Sequence, residues 1–351
     1  MTPGPSPGGR LTETSLIQAV RRRTAAGGDG VRVGIGDDCA VLEPAPGALL
    51  IATTDLLLED VHFRRRYAEP ADIGWKAVAV NLSDVASMGA RPRWALVALA
   101  CPAGTTLDEV EAFYAGALAL AGEHGVAIVG GDTASSPAGW LVNVTVLGET
   151  ARRPLLRSGA RPGDVVAVTG TLGRSAAGLA VLERPAAPAG IAAEALADST
   201  AAHLRPRPRV AEGQWLGAVD GVTAMIDLSD GLATDLAHVA RESRAGARVD
   251  LDRVPVASAT RAVAERLGAD ALAWATGGGE DYELLVVCDP SAFESLRAGL
   301  VRATGTALTR VGEMTAGSGV TCVDAGGRAR AIQPGFEHFV SGRRSARRRP
   351  A

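Results

Sequence analysis

Hydrophobic and polar positions along this chain switch between helical and strand periods, and the helical stretch from Asp72 to Ala90 is the one around which the rest is organised. In DIGWKAVAVNLSDVASMGA, Ile73, Ala77, Val80 and Met88 recur at helical spacing, Asp72 can cap the first turn, and Gly89 with Pro92 stops the helix. At 100° per residue, Asp84 falls about 20° from both Ile73 and Ala77, in the middle of the apolar stripe. Burying an unpaired anion there is costly or forces protonation, so Asp84 needs a cation or a set of donors, unless the stripe ends at Val80 and leaves it in water.

Strand patterns flank this helix. Val31, Val33 and Ile35 alternate before Gly36, Asp37 and Asp38 break the period, and Ala48–Ala52 reads as a buried strand with Thr53, Thr54 and Asp55 at its end. His62 follows seven residues after Asp55. RPRWALVALACP predicts a strand and Leu107–His124 a helix carrying Phe113 and Tyr114; VAIVGGDTASS predicts an apolar strand, then Gly130, Gly131 and Asp132. Upstream, Leu11–Arg23 suits a short amphipathic helix. In the second half, VTAMIDLSDGLATDLAHVA sets Asp227 and Asp230, with Ser229 between them, where a strand hands over to a helix. Gly277–Gly279, Glu280 and Asp281 precede an alternating strand, Tyr282–Cys288. The strand, Gly-rich turn and helix of VVAVTGTLGRSAAGL lack the G-K-[ST] ending of a phosphate loop, and G-x-G-x-x-G is absent, so Gly170 and Gly173 are read as turn glycines.

At 351 residues the chain exceeds what one core usually serves. Four parts are expected: a mobile tail at 1–10, a domain at 11–150, a second domain at 151–340 entered through the basic loop ARRPLLRSGARPGD, and a basic disordered tail at 341–351. A net charge of −3 argues against a nucleic-acid surface, and no apolar run is long enough to span a bilayer. Cys39, Cys101, Cys288 and Cys322 form no C-x-x-C pair, which fits a reducing cytoplasm rather than a zinc site or a disulfide frame. Lys76 is the only lysine; every other Lys or Arg position is arginine, which reads as coding bias.

The acids carry the functional signal. Asp37, Asp38, Asp55, Asp132, Asp227 and Asp230 each follow an apolar strand, and Asp84 sits on an apolar helix face. Singly, each is a turn former or cap. If the strand ends converge, the pocket holds more negative charge than water-excluded protein tolerates without divalent cations. Oxygen ligands without His or Cys clusters point to Mg²⁺, which shares its coordination with phosphates and so implies a nucleotide triphosphate substrate.

Nine ordered segments, VGIGDDCAVL, TTDLLLEDVHF, WKAVAVNLSDVASMGARP, VGGDT, LLRSGARPGD, HLRPRPRVAEG, IDLSDGLATDL, GGGEDYELL and PGFEHF, resemble the motifs of the thiamine-monophosphate kinase family, in the aminoimidazole ribonucleotide synthetase-like superfamily. The resemblance runs from about Leu11 to Phe339. It implies a two-domain fold: an N-terminal α+β domain whose sheet joins that of a second subunit into a barrel, and a C-terminal α/β domain. A homodimer follows. It also implies transfer of the γ-phosphoryl group of ATP to thiamine monophosphate, assisted by several Mg²⁺ ions. Carried over by position, the metal residues are Asp38, Thr53, Thr54, Asp55, Asp84, Asp132, Asp227 and Asp230, with Asp38, Asp55, Asp84, Asp132 and Asp227 catalytic. ATP would meet Tyr114, Gly131, Asp132, Arg157 and Ser229; thiamine monophosphate would meet His62, Glu280 and Phe336. The alternatives are another ATP-dependent enzyme of the superfamily or a non-catalytic nucleotide- or metal-binding protein. Selenophosphate synthetase-like and hydrogenase-maturation relatives would need a Cys or selenocysteine near one end, and neither MTPGPSPGGR nor RRSARRRPA holds one.

Overall fold

A computed structural model describes residues 13–24, 28–36, 38–332 and 335. The first half runs α1 (Glu13–Thr24), β1 (Val31–Val33), β2 (Val41–Leu42), β3 (Leu49–Leu58), α2 (Pro70–Ser87), β4 (Arg91–Pro102), α3 (Leu107–Glu123), β5 (Ala127–Ser136) and β6 (Leu141–Thr150). Next come β7 (Val165–Thr169), α4 (Arg174–Leu182), α5 (Ala193–Leu204), α6 (Val210–Ala218), β8 (Val222–Asp227), α7 (Leu232–Ser243) and β9 (Gly246–Asp250). The chain ends with α8 (Ser258–Leu267), α9 (Ala271–Gly277), β10 (Leu284–Cys288), α10 (Phe293–Thr304), β11 (Leu308–Thr315), β12 (Gly319–Val323) and β13 (Ala329–Arg330).

Two main sheets result. One has four strands in the order β3-β6-β4-β5; the other has seven, in the order β13-β12-β9-β11-β7-β10-β8. Helix α2 lies between them, packing on α3, β3 and β6 on one side and on α6 and β8 on the other. Its start differs from the predicted one. Glu69 is the N-cap, and Asp72, at the third helical position, accepts from the Glu69 backbone N–H, closing a capping box. The predicted stripe becomes burial on every face: from Asp72 to Ser87 only Asp84 is not fully buried. A helix wedged between two sheets has no solvent side, so its one open position marks a cavity rather than bulk water.

Two predicted strand ends are also revised. β3 continues through Thr53, Thr54 and Asp55, paired with β6 from Leu49↔Thr150 to Leu58↔Leu141, and β5 continues through Gly131 and Asp132. These polar residues alternate across a sheet that is covered on one face only, so they do not break the ladder. Thr53 therefore faces α2, where its Oγ1 donates to Asp84 Oδ2 at 2.5 Å. Thr54 points to the opposite face, where its Oγ1 lies 2.9 Å from Thr145 Oγ1. That face exposes Leu50, Leu56 and Leu96. The barrel implied by the resemblance is not closed within this chain: among the described residues the four-stranded sheet is open, with β3 and β5 at its edges.

Candidate active site

A cavity of about 850 Å³ opens beside α2, walled by residues of both halves of the chain. One wall is acidic. Asp55 from β3, Asp84 from α2, Asp227 from the end of β8, and Ser229 and Asp230 from the turn after it line the same space. The turn is placed by β8 pairing with β10, Asp227↔Leu284, so that a strand buried over its last four residues delivers the final one to the cavity. Ser83 Oγ donates to Asp227 Oδ2 at 2.8 Å, tying α2 to the second sheet at this point.

The electrostatics match this crowding. Burial, with Asp84 and Asp230 adding like charge, pushes the Asp55 carboxyl up to about 6. Burial, then Asp84 and Asp55, pushes Asp227 up to about 7. Asp84 is raised by burial, against the Thr53 hydroxyl and the Arg157 guanidinium, which lower it. The protein thus supplies too little positive charge for the acids it gathers, as expected of a site completed by cations.

The far wall differs. His62 lies on the loop after β3, and its Nδ1 accepts from the Leu58 backbone N–H at 3.0 Å. Glu280 lies on the same wall, joined to His62 through Lys76, whose Nζ also donates to the His62 carbonyl at 3.1 Å; His203, Tyr67 and Trp274 line the cavity as well.

Residues 36–150 match the family model of the AIR synthase related protein N-terminal domain, and residues 161–325 that of its C-terminal domain. The thiamine-monophosphate kinase of Salmonella typhimurium is 39% identical over 338 residues, covering 94% of this chain and 98% of the relative. The chain belongs to the thiamine-monophosphate kinase family. The solved thiamine-monophosphate kinase from Stenotrophomonas maltophilia K279a is 39% identical, with a TM-score of 0.79, covering 91% of this chain and 98% of that one. Another solved relative, complexed with AMPPCP and TMP, is 32% identical, with a TM-score of 0.74, over 95% of this chain and 100% of that one. The two-domain fold implied by the resemblance is thereby established.

Within this kinase-family chain, not every expected site residue reaches the cavity. Asp55, His62, Asp84, Asp227, Ser229, Asp230 and Glu280 line it, and Thr53 supports Asp84 from beneath. Arg157 is exposed but acts electrostatically on both Asp84 and Asp227. Asp38 is exposed in the turn before β2 and is not among the lining residues. Tyr114 is 3% exposed on α3, packed edge-on against Phe113 at 5.2 Å, and lines no part of the cavity. Gly131 and Asp132 lie on the edge strand β5, with Asp132 Oδ1 accepting from the Thr133 N–H at 2.8 Å. At Gly131, φ is +151° and a Cβ would stand 1.8 Å from Val97 O, so only glycine fits there. Phe336 is outside the described residues. Sequence reasoning missed Lys76, His203, Tyr67, Trp274 and Ser83; only Lys76, as the lone lysine, and His203, inside HLRPRPR, carried any signal.

Proposed function

We propose that this chain transfers the γ-phosphoryl group of ATP to thiamine monophosphate in the cavity beside α2, yielding thiamine diphosphate and ADP. The observation that carries the proposal is the convergence of Asp55, Asp84, Asp227 and Asp230, from three separate segments, on one wall of one cavity. The names of the relatives and the AMPPCP and TMP complex of one of them support the same reading. The acceptor is a phosphate monoester, largely a dianion above its second pKa of about 6, so no general base is required to create the nucleophile. The obstacle is repulsion between two polyanions.

The donor set fits Mg²⁺: the carboxylates of Asp55, Asp84, Asp227 and Asp230 would hold it, hard oxygen ligands in a setting where burial and mutual repulsion raise Asp55 and Asp227. When bound, Mg²⁺ supplies charge neutralisation for phosphate oxygens. Thr53 fixes the Asp84 carboxylate and Ser83 fixes that of Asp227, so the acids are oriented before any ligand arrives. Arg157 adds a cation beside them, and Ser229 offers a hydroxyl to the nucleotide. A cytoplasmic location belongs to the same reading; no helix among the described residues is long and apolar enough to cross a membrane.

Homodimerisation accounts for the residues that stand apart. Thr54 and Asp132 project from the same open sheet face but on opposite edge strands, β3 and β5. Exposed strand edges and the apolar face carrying Leu50, Leu56 and Leu96 both call for cover. If β3 of one copy joins β5 of another, the partner's Asp132 lies beside Thr54 on the shared open face, along the strand that carries Asp55, and the partner's edge strand borders each cavity.

Incubation of the purified chain with ATP, Mg²⁺ and one acceptor at a time tests the reaction. Thiamine diphosphate is expected from thiamine monophosphate alone; ATP consumption with a ribonucleotide acceptor instead would reject the assignment.

A further inference from the structure

The mechanism above leaves the buried charges of the far wall unused. Lys76 Nζ lies 2.7 Å from Glu280 Oε1, with the lysine side chain 3% exposed and the glutamate 26% exposed toward the cavity. His203, 4% exposed, brings Nδ1 to 3.2 Å from Glu280 Oε2 and to 3.0 Å from Ser175 Oγ. Both carboxylate oxygens are thus engaged from behind. Burial and the neighbouring ammonium hold the imidazole below its usual range, so it is neutral at pH 7, and the carboxylate selects the tautomer with its proton on Nδ1. Burial opposes ionisation of Glu280, but Lys76 and His203 outweigh it and hold the group as a carboxylate.

Three observations mark this arrangement as more than support for the fold. A buried ion pair adds little net stability over apolar residues of the same volume, so its placement on a cavity wall calls for another reason. The backbone of Glu280 is strained, with φ +65°, and so is that of Tyr282, with φ +50°. Glu280 N–H donates to Ser229 O at 2.7 Å and Tyr282 N–H to Leu228 O at 2.9 Å, while at Gly279 a Cβ would lie 2.4 Å from Ser229 O. The turn holding Glu280 is therefore locked to the turn holding Ser229 and Asp230. Finally, a composition that places arginine at 35 of 36 basic positions keeps its single lysine here, where a compact ammonium must reach both Glu280 and, at 3.1 Å, the carbonyl of His62.

Along α2, Lys76, Val80 and Asp84 share the cavity stripe, and Lys76 and Asp84 are two turns apart, about 12 Å. That span suits a ligand with a phosphate at the Asp84 end and a ring system at the Lys76 end. We propose that Lys76 and His203 are positioning residues that aim the Glu280 carboxylate at the cationic ring of the phosphate acceptor. This rests on the reading that thiamine monophosphate, whose thiazolium carries a fixed positive charge, is that acceptor.

Steady-state kinetics of the full chain test it. Lys76→Met is expected to raise the KM for thiamine monophosphate by about tenfold or more, while kcat and the KM for ATP stay within about threefold. His203→Gln should shift the same constant in the same direction by less. The double variant Lys76→Met with Glu280→Gln should be no worse than Glu280→Gln alone, because Lys76 acts through that carboxylate. An unchanged KM for thiamine monophosphate in Lys76→Met, or penalties that multiply in the double variant, would overturn the proposal. So would equal losses in both KM values and kcat accompanied by a fall in Tm, the signature of a merely structural pair. Should Lys76→Met fail to fold, His203→Gln, which keeps the volume and a donor-acceptor group, decides by the same criteria. A parent chain that makes no thiamine diphosphate rejects the acceptor reading and this proposal together; an active parent with an unchanged Lys76→Met rejects this proposal alone.

Discussion

Asp84→Asn is expected to leave the chain folded and to reduce turnover by about a thousandfold, the scale of losing a preorganised electrostatic contact in a water-excluded site. The substitution removes a charge but almost no volume, and the amide oxygen still accepts from Thr53 Oγ1. Stability should move the other way. Asp55 and Asp227, raised to about 6 and about 7 by burial and then by Asp84, have folded-state values above the ordinary carboxylate value of 3.8. Groups shifted in this direction contribute stability that is fully present below the unfolded value and lost as pH rises through the folded one. Between about pH 4 and pH 7 the parent without divalent cation therefore loses stability from these groups. Removing the Asp84 charge lowers both neighbours and recovers part of the loss. Thermal melts without metal should show the variant at or above the parent at pH 8, with the two nearly alike at pH 5. Near-normal turnover would mean that Asp84 has no part in the reaction, and a lower melting point at pH 8 would mean that the parent already compensates its charge.

Mixing two inactive variants should restore activity. If Thr54 and Asp55 of one protomer work with the partner's Asp132, a homodimer of Asp84→Asn has two dead sites, and so does a homodimer of Asp132→Ala. A mixed dimer has one site with both lesions and one with neither. Random exchange makes half of the dimers mixed, so specific activity should recover to about a quarter of the parent value, from a background near a thousandth. Sites built within single chains would give no recovery at any ratio. The assay thus separates a shared site from a self-contained one without relying on the oligomeric state alone.

How much of this was legible beforehand depended on whether the information was local. The acid at position 84 stood out because helical periodicity placed it among Ile73, Ala77 and Val80, and the structure leaves it as the one open position between Asp72 and Ser87 of the helix. The turn after Asp227 was legible too, because a mostly apolar strand ending in an acid is a local pattern. What the pattern misjudged were the strands carrying Thr53–Asp55 and Gly131–Asp132. Polar residues there read as strand ends, yet the ladder runs through them because one face of the sheet is uncovered, a fact of tertiary arrangement. The consequence is large, since alternation sends Thr53 to Asp84 and Thr54 away from it. The Lys76, Glu280 and His203 cluster was illegible for another reason: its members are 76, 203 and 280 residues along the chain, and only folding brings them within 3.2 Å.

If acids from distant segments form one cation site at which the phosphates meet, a crystal of the chain grown with AMPPCP and Mn²⁺ in place of Mg²⁺ must show the ions there, located by anomalous scattering. Peaks bridging Asp84 to Asp55 and to Asp227, beside the phosphates of the nucleotide, are the predicted result. Ions found only among Asp230, Asp235 and His238, whose ligand atoms all lie within 4.8 Å of one another, with nothing between Asp55, Asp84 and Asp227, would contradict it.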